Sequence, residues 1–302
     1  MMLNTRSGAV LLLLLGAALA QQSKIPDLPH KAVPAWPQLP GDWNFGETSG
    51  VALDSRGHVW VFNRGEHPLV EFTPEGKFVR SLCEGMFTRS HGVRIDRDDN
   101  IWTVDVGAHT VLKLSPQGRV LLVMGRKGTA GLGPDSFDRP TDLAFASNGD
   151  FYVADGYGNS RVAKFSRDGK FLLDWGKKGT AEGEFNLPHA VAVDARGRVY
   201  VGDRENNRIQ VFDSGGKFLA QWKHVGSPWG LDLTPDQRLY MADGRANRVL
   251  VLNLDGQILG SLGGPGKAPG QFAYAHALAV SKGGDIYTAE ILNWRAQKFA
   301  KQ

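Results

Sequence analysis

Cysteine is nearly absent from this sequence, whose 302 residues contain one, Cys83. A single cysteine excludes an intramolecular disulfide framework, and we interpret Cys83 as a small buried apolar residue, with a reactive thiol as the alternative. Long amphipathic helical patterns are also absent, whereas glycine is abundant, with 38 residues. This combination favours an all-β fold.

Long apolar runs are lacking as well. The run from Ala9 to Leu15 is too short to cross a bilayer, and no later stretch approaches the roughly eighteen apolar residues that a membrane helix needs. Arg6 precedes this run, and the small residues Ala18 and Ala20 that follow it suit a signal peptidase. We therefore expect a cleaved signal peptide at residues 1–20 and a secreted or periplasmic protein, with an uncleaved membrane anchor as the alternative.

Charge of one sign does not dominate, because 35 Lys and Arg residues stand against 31 Asp and Glu residues, for a net charge of +4. The basic residues are scattered along the chain. That distribution argues against a nucleic-acid partner and against a membrane surface. We expect a monomer that does not insert into a membrane and whose partner is a small molecule or peptide.

One motif recurs along nearly the whole chain. It consists of a short apolar strand, a turn containing Gly or Asp, and a second strand that is centred on an aromatic residue. The aromatic residues of the six copies are Trp60, Trp102, Tyr152, Tyr200, Tyr240 and Tyr287. Their separations of 40 to 50 residues are typical of four-stranded propeller blades. The motif resembles the NHL repeat, and six copies predict an all-β, six-bladed β-propeller, with an open solenoid as the alternative.

The sixth copy ends after its third strand, because the chain stops at Gln302. Residues 30–45, which are rich in proline and apolar side chains, precede the first copy without belonging to it. We expect them to pair with the strand around Arg295 to Phe299 and so close the ring without an open edge. The expected organisation is a signal peptide at 1–20, an N-terminal extension with the ring-closing strand at 21–48, and the propeller at 49–302.

Histidine occupies one repeat position in alternate blades. The residues eleven positions before the blade aromatics are Ser49, His91, Thr141, His189, Trp229 and His276. Equivalent positions of a propeller lie on one ring, so these three histidines should lie about 120° apart on the strands that line the channel. A lone histidine in a strand is usually structural. Three converging imidazoles with open coordination positions are typical of a catalytic zinc site, and we predict that His91, His189 and His276 bind a metal ion.

Two arginines show a second symmetry. Four residues after the aromatics of blades one and four lie Arg64 and Arg204, which should face each other across the channel. The forked donors of a guanidinium match both oxygens of a carboxylate, so we predict that both arginines bind substrate. Ion pairs with Glu66 or Glu205 are the alternative.

Blade three has one residue more between its acidic residue, Asp155, and Arg161 than the other complete copies have. Because glycines flank Tyr157, the insertion can push this residue out of the repeat toward the channel. A phenol beside a dication and a guanidinium ionises more readily and can act as a base. The alternative is an ordinary loop aromatic.

Together these segments resemble the lyase half of the peptidylglycine α-amidating enzymes, a six-bladed propeller of NHL-like repeats. The resemblance covers roughly residues 50 to 300, and its most specific strings are DGYGNSR at 155–161 and DRENNRIQ at 203–210. It implies a reaction that splits a peptidyl-α-hydroxyglycine into a peptide amide and glyoxylate. The residues that it implies are zinc ligands His91, His189 and His276, the catalytic phenol Tyr157, Arg64 to keep that phenol ionised, and Arg64 and Arg204 to bind the substrate.

The sequence departs from that family near the site. Ala277 follows His276 where the family usually has an acidic ligand of a structural calcium, so calcium is uncertain here, although the backbone oxygen of Val93 can still contribute. Asp138 and Gly158 occupy the two places of a family disulfide.

The leading prediction is a secreted, zinc-dependent carbon–nitrogen lyase that cleaves a carbinolamide to an amide and glyoxylate. A metal-dependent hydrolase or lactonase is a second enzyme class. Familiar calcium lactonases of this fold use Glu, Asn and Asp ligands, so the three histidines count against it. A non-catalytic NHL propeller that binds peptides or proteins would explain the repeats but would leave the histidines and arginines without a role.

Overall fold

The computed structural model describes residues 25–302, so the expected signal peptide at 1–20 lies outside the described residues. The described chain forms 24 β-strands in six antiparallel sheets of four strands each. The predicted all-β, six-bladed propeller is therefore confirmed. Among residues 25–302, no helix has the length and hydropathy needed to cross a bilayer.

Each blade is an antiparallel meander that starts at the central channel and ends at the outer surface. Blades one to three consist of β2 (Thr48–Leu53), β3 (Val59–Asn63), β4 (Leu69–Phe72), β5 (Phe78–Leu82); β6 (Ser90–Ile95), β7 (Ile101–Asp105), β8 (Thr110–Leu114), β9 (Val120–Met124); β10 (Asp142–Phe145), β11 (Phe151–Asp155), β12 (Arg161–Phe165) and β13 (Phe171–Trp175). Blades four to six consist of β14 (Pro188–Val193), β15 (Val199–Asp203), β16 (Arg208–Phe212), β17 (Phe218–Trp222); β18 (Pro228–Leu233), β19 (Leu239–Asp243), β20 (Arg248–Leu252), β21 (Ile258–Leu262); β22 (Ala275–Val280), β23 (Ile286–Glu290), β24 (Arg295–Lys301) and β1 (His30–Ala32).

The second strand of every blade is buried along its whole length, because it has a strand on each side and a blade against each face. It carries the blade aromatic, which packs into the apolar clusters between neighbouring blades. Trp60 and Tyr200, for example, are at most 1% exposed. Outer strands have one free face, and Phe171–Trp175 accordingly alternates between half-buried and exposed residues. The core therefore lies between the blades and surrounds the channel.

The acidic residue after the blade aromatic has a structural role. In blade four, Asp203 accepts hydrogen bonds from Nε of Arg208 at 2.8 Å, Nδ2 of Asn206 at 2.8 Å and the backbone N–H of Asn186 at 2.7 Å. These bonds join the loop before the channel strand to the loop after the second strand. Since such loops surround the mouth of the channel, the repeated acidic residue and arginine fix the frame in which the site is built.

The N-terminal strand completes the last blade, as predicted. His30, Lys31 and Ala32 of β1 pair with Lys301, Ala300 and Phe299 of β24. The pairing is shorter than the expected segment 30–45 and lies nearer the C-terminus than Arg295 to Phe299. Pro34 explains the early end, because proline has no N–H to donate to a neighbouring strand.

The channel strands of five blades carry a β-bulge close to the position eleven residues before the aromatic. In β14, for example, the register shifts between Pro188 and Ala190, so that His189 has no paired partner across the strand. A bulge re-aims the side chain of its extra residue. This irregularity is the local reason why the repeat position turns its side chains into the channel.

Candidate metal centre

The three histidines at the shared repeat position lie together in the channel. One ligand atom of each of His91, His189 and His276 lies within 4.8 Å of those of the other two. Their ring centroids are 4.7 to 4.9 Å apart, and each residue is at most 4% exposed. The structure thus brings together the three residues that the sequence singled out.

Each of these imidazoles uses its Nδ1 atom in a hydrogen bond to the next blade. The acceptor is the backbone oxygen of the residue at the same repeat position there. The three pairs are His91 with Thr141 at 2.7 Å, His189 with Trp229 at 2.5 Å and His276 with Ser49 at 2.6 Å. A carbonyl oxygen can only accept, so Nδ1 must carry the proton and Nε2 is left as a bare acceptor.

Burial keeps these imidazoles neutral. It lowers the pKa of His276 to about 3, and the nearby Arg64 guanidinium lowers it further. Burial likewise holds the pKa of His91 and of His189 well below the usual value, with a neighbouring histidine as the next cause in each case. Neutral imidazole is the form that binds a metal ion. Three neutral imidazoles, each with an unprotonated Nε2, match the ligand set of a catalytic zinc ion.

Tyr157 reaches this centre from the inserted residue of blade three. Its hydroxyl oxygen lies 3.3 Å from Nε2 of His91 and 3.3 Å from Nε2 of His189. Nη1 of Arg204 donates to the same oxygen at 3.3 Å. The phenol therefore stands between two metal-ligand candidates and a guanidinium.

Glycine allows the Tyr157 loop to approach blade four. A Cβ atom on Gly156 would lie 1.9 Å from the carbonyl oxygen of Pro188, a distance that no side chain tolerates. The loop is also held from behind, because the N–H of Gly158 donates to the carbonyl of Asp138 at 3.0 Å. Asp138 and Gly158, which stand where the resemblance to the amidating enzymes would place a disulfide, are thus in contact.

The two arginines at the other shared position both reach the mouth of the channel. Arg64 donates through Nε to the carbonyl of Ser90 at 3.0 Å and forms an ion pair with Glu47. The carboxylate partner is thus Glu47 of the N-terminal extension, whereas Glu66 was the alternative considered from the sequence. Sequence reasoning missed Glu47, which lies just before β2 and thirteen positions before Trp60.

Arg204 forms its ion pair with Glu205 at 2.9 Å. Its guanidinium also lies 4.5 Å from the ring centroid of Trp229 and 5.4 Å from that of Tyr157. Contact with the phenol was expected of Arg64, but the structure gives it to Arg204. Each guanidinium has five N–H donors, so one ion pair does not use them all.

A cavity of about 500 Å³ opens above the histidines and is large enough for a small ligand. Its lining residues are Glu47, Arg64, Arg89, His91, Val106, Gly107, Arg139, Tyr157, Arg204, Trp229, Tyr274, His276, Ile291 and Leu292. Four of these are arginines, and their carboxylate partners are Glu47, Asp138 and Glu205. One positive charge is therefore in excess, which favours an anionic ligand. Arg89, Arg139 and Tyr274 were not among the predicted site residues, although a repeat offset of thirteen would have pointed to them.

The next layer of the channel contains a buried positively charged side chain, that of Arg94. The residues eight positions before the blade aromatics are four alanines, Arg94 of blade two and Asp232 of blade five. Blades two and five lie on opposite sides of the ring. Arg94 Nη2 donates to Asp142 at 2.7 Å and to the carbonyl of Leu231 at 2.8 Å, and Nη1 lies 3.8 Å from Asp232. Ala277 offers no side-chain oxygen. The Arg94 guanidinium and the missing carboxylate at position 277 disfavour a calcium ion beside the histidines.

A second group of possible ligands, Asp54, His58 and Glu71, also lies within 4.8 Å. Arg56 donates to Asp54 at 2.6 Å, and Arg80 donates to Glu71 at 2.6 Å. Because guanidinium groups already neutralise both carboxylates, this cluster is a network of ion pairs that holds a turn of blade one.

Comparisons with known proteins agree with the fold. The sequence profile of the NHL repeat matches residues 137–165 and 185–212. NHL repeat-containing protein 3 of Homo sapiens is 34% identical over 289 residues, which cover 87% of this chain and 82% of that protein. Peptidyl-alpha-hydroxyglycine alpha-amidating lyase 1 of Drosophila melanogaster is 30% identical over 297 residues, which cover 88% of this chain and 47% of that protein.

Among solved structures, a gluconolactonase of Xanthomonas campestris superposes with a TM-score of 0.66 at 14% identity, over 92% of this chain and 97% of that one. At this identity the likeness shows the propeller fold alone.

Proposed function

We propose that this chain, which belongs to the NHL-repeat family of NHL repeat-containing protein 3, is a propeller enzyme, a zinc-dependent carbon–nitrogen lyase. Its substrate would be an N-acyl-α-hydroxyglycine, which it splits into an amide and glyoxylate. One observation carries the proposal: the Tyr157 hydroxyl lies 3.3 Å from Nε2 of two neutral histidines and 3.3 Å from Arg204. Homology to amidating-lyase proteins supports the reaction class, and the sequence pattern of residues 1–20 supports a secreted or periplasmic location.

His91, His189 and His276 would hold the zinc ion through their Nε2 atoms. When bound, zinc would act as a Lewis acid toward a substrate oxygen and ease the loss of its proton.

The chain's own residues supply binding and proton transfer. Arg64 lines the cavity from blade one, and its guanidinium matches the two oxygens of the glycine carboxylate. Tyr157, as a phenolate, accepts the proton of the substrate hydroxyl. Arg204 donates to the phenolate oxygen and stabilises its negative charge. Arg64 therefore stabilises the negative charge of the substrate carboxylate, and Arg204 stabilises the negative charge of the Tyr157 phenolate.

The bond changes balance without a further reactant. As Tyr157 removes the hydroxyl proton, the carbon–oxygen double bond of glyoxylate forms and the carbon–nitrogen bond breaks. The departing amide nitrogen then takes back the proton that Tyr157 carries. Neither water nor an oxidant is consumed.

Metal analysis and product analysis of the purified protein test this proposal. We expect about one zinc ion per chain. We also expect benzamide and glyoxylate from α-hydroxyhippurate, with activity lost on chelation and restored by zinc. Hippurate is the matched control, because it lacks the hydroxyl group and should release neither product.

Benzamide is the product that separates the enzyme classes. A hydrolase acting on the same amide would release benzoate, and the α-hydroxyglycine left behind would itself break down to glyoxylate. A non-catalytic propeller would release none of these compounds. Zinc-loaded protein that forms no benzamide would therefore contradict the lyase.

A further inference from the structure

The cavity above the histidines has two chemically different sides. Thirteen positions before the blade aromatics stand Glu47, Arg89, Arg139, Leu187, Ser227 and Tyr274. The three charged residues come from blades one to three, and the three uncharged residues come from blades four to six. Because equivalent positions lie on one ring, the residues at this offset are charged on one side of the mouth and uncharged on the other, where Arg204 from a different offset lies over the ring of Trp229.

Two aromatic rings lie on the side of blades five and six. Trp229 occupies, in blade five, the repeat position that holds a histidine in blades two, four and six. Its ring centroid lies 5.7 Å from that of His189 and 5.7 Å from that of His276. It stacks on Tyr274 with centroids 5.2 Å apart and planes inclined by 22°. We refer to Trp229 and Tyr274 together as the aromatic wall.

Several contacts hold the indole of the wall in place. Nε1 of Trp229 donates to Oγ of Ser227 at 3.1 Å, and that hydroxyl donates to the carbonyl of Arg204 at 3.1 Å. A Cβ atom on Gly244 would lie 2.5 Å from the indole, so glycine is required there to make room. The Arg204 guanidinium lies over the same ring at 4.5 Å. The indole is thus fixed before any ligand binds, which lowers the entropic cost of binding.

Tyr274 presents the other ring of the wall to the ligand. Its backbone has φ of +55°, which is unusual for a residue with a side chain, and its N–H donates to Oδ1 of Asn247 at 2.6 Å. The residue remains 39% exposed, and it lines the cavity together with Ile291 and the largely exposed Leu292. The binding free energy at a surface of this composition is most favourable when the ligand covers it with an apolar or aromatic group.

We propose that the aromatic wall binds an aromatic or bulky apolar group on the acyl side of the scissile amide; this assignment of substrate class rests on the function proposed above. The carbon that reacts carries a hydroxyl, a carboxylate and the acylated nitrogen. The hydroxyl belongs at the histidines and Tyr157, and the carboxylate at the arginines of the charged side. The acyl group is therefore directed to the remaining side, which is the wall.

Binding of two unreactive ligands tests the wall independently of turnover. Hippurate and N-acetylglycine share the carboxylate and amide and differ in a phenyl against a methyl group. By calorimetry, we expect hippurate to bind roughly tenfold to a hundredfold more tightly. The matching substrates, α-hydroxyhippurate and N-acetyl-α-hydroxyglycine, should differ in kcat/KM in the same direction.

Variants assign the preference to the wall. Trp229→Leu and Tyr274→Leu should each reduce the ratio of the two affinities, and the exposed Tyr274 makes the second change safe for folding. Trp294→Leu is the matched control, because Trp294 is a 58% exposed aromatic residue of the same blade as Tyr274 and should leave the ratio unchanged. Melting temperatures identify any variant that has lost its fold.

The outcomes separate this proposal from the enzymatic one. Equal affinity for hippurate and N-acetylglycine, binding of neither, or a ratio that survives both wall variants would overturn the aromatic wall as a subsite. A hippurate preference that depends on the wall, found in a protein that forms no benzamide, would support the subsite while refuting the lyase.

Discussion

Replacing Tyr157 by phenylalanine removes one oxygen atom from the centre of the proposed site. That oxygen makes three contacts, to His91, His189 and Arg204, each at 3.3 Å. The contacts are long for hydrogen bonds, so their loss should lower the free energy of unfolding by only about 1 kcal/mol. The Nδ1 bonds that orient the histidines do not involve Tyr157, and zinc content should therefore be unchanged. If the phenol is the base, kcat should fall by about 10²–10⁴.

Benzamide formation from α-hydroxyhippurate at saturating substrate measures this loss. Zinc content and melting temperature are measured on the same preparation, so that loss of metal or fold is not mistaken for loss of the base. Tyr152→Phe is the matched control. It removes a hydroxyl of the same blade that donates to the carbonyl of Ser214 at 3.2 Å, and turnover should stay near normal.

A Tyr157→Phe enzyme with full zinc and near-normal turnover would refute the assignment of the base. Proton removal would then belong to another group. Benzoate in place of benzamide in the same assay would move the hydrolase ahead of the lyase.

Three further predictions follow from the same contacts. His189→Ala leaves two imidazoles, so zinc affinity should fall roughly a hundredfold or more, and kcat should fall as well. A zinc affinity equal to that of the unchanged protein would contradict the proposed ligand set. Deleting residues 21–45 removes β1 and the buried Trp36, which is 6% exposed. The free energy of unfolding should therefore drop by roughly 3 kcal/mol or more. An unchanged melting temperature would show that the ring closes in another way. In metal-free protein, the pKa of His276 is about 3 when folded and near 6.5 when unfolded. The unfolded chain therefore binds the extra proton, and stability should fall as the pH drops from 6.5 toward 3, by about 1.4 kcal/mol per pH unit for this histidine. His276→Gln should flatten that dependence in denaturant titrations, and an identical slope would argue against a neutral buried imidazole.

The repeat allowed the fold and the cluster of three histidines to be predicted from the sequence. Blade aromatics such as Trp60 and Tyr200 recur because each fills the space between two blades, so their spacing counts the blades. Symmetry then places every fixed offset on one ring, which is why the sequence alone groups His91, His189 and His276. Tyr157 was found for the opposite reason, as a departure from the repeat.

What the sequence could not predict depends on contacts that cross repeats. Glu47 stands thirteen positions before its blade aromatic, whereas the predicted site residues stand at other offsets, and its ion pair with Arg64 was therefore missed. The contact between Arg204 and Tyr157 depends on how far the inserted loop bends, which spacing does not reveal. The aromatic wall was overlooked because Trp229 was regarded only as a position without histidine.

The pairing of β1 with β24 has a consequence for how the protein forms. The last blade needs three residues that precede the first blade, so it cannot be completed until β24 has been synthesised. Contacts of such long sequence separation form slowly, because the loop must close before its contacts contribute. Until then the outer edge of β24 is an unpaired strand, and an unpaired edge can pair with other chains. Aggregation during refolding should therefore depend strongly on protein concentration, and ring closure should be the step that ends this exposure.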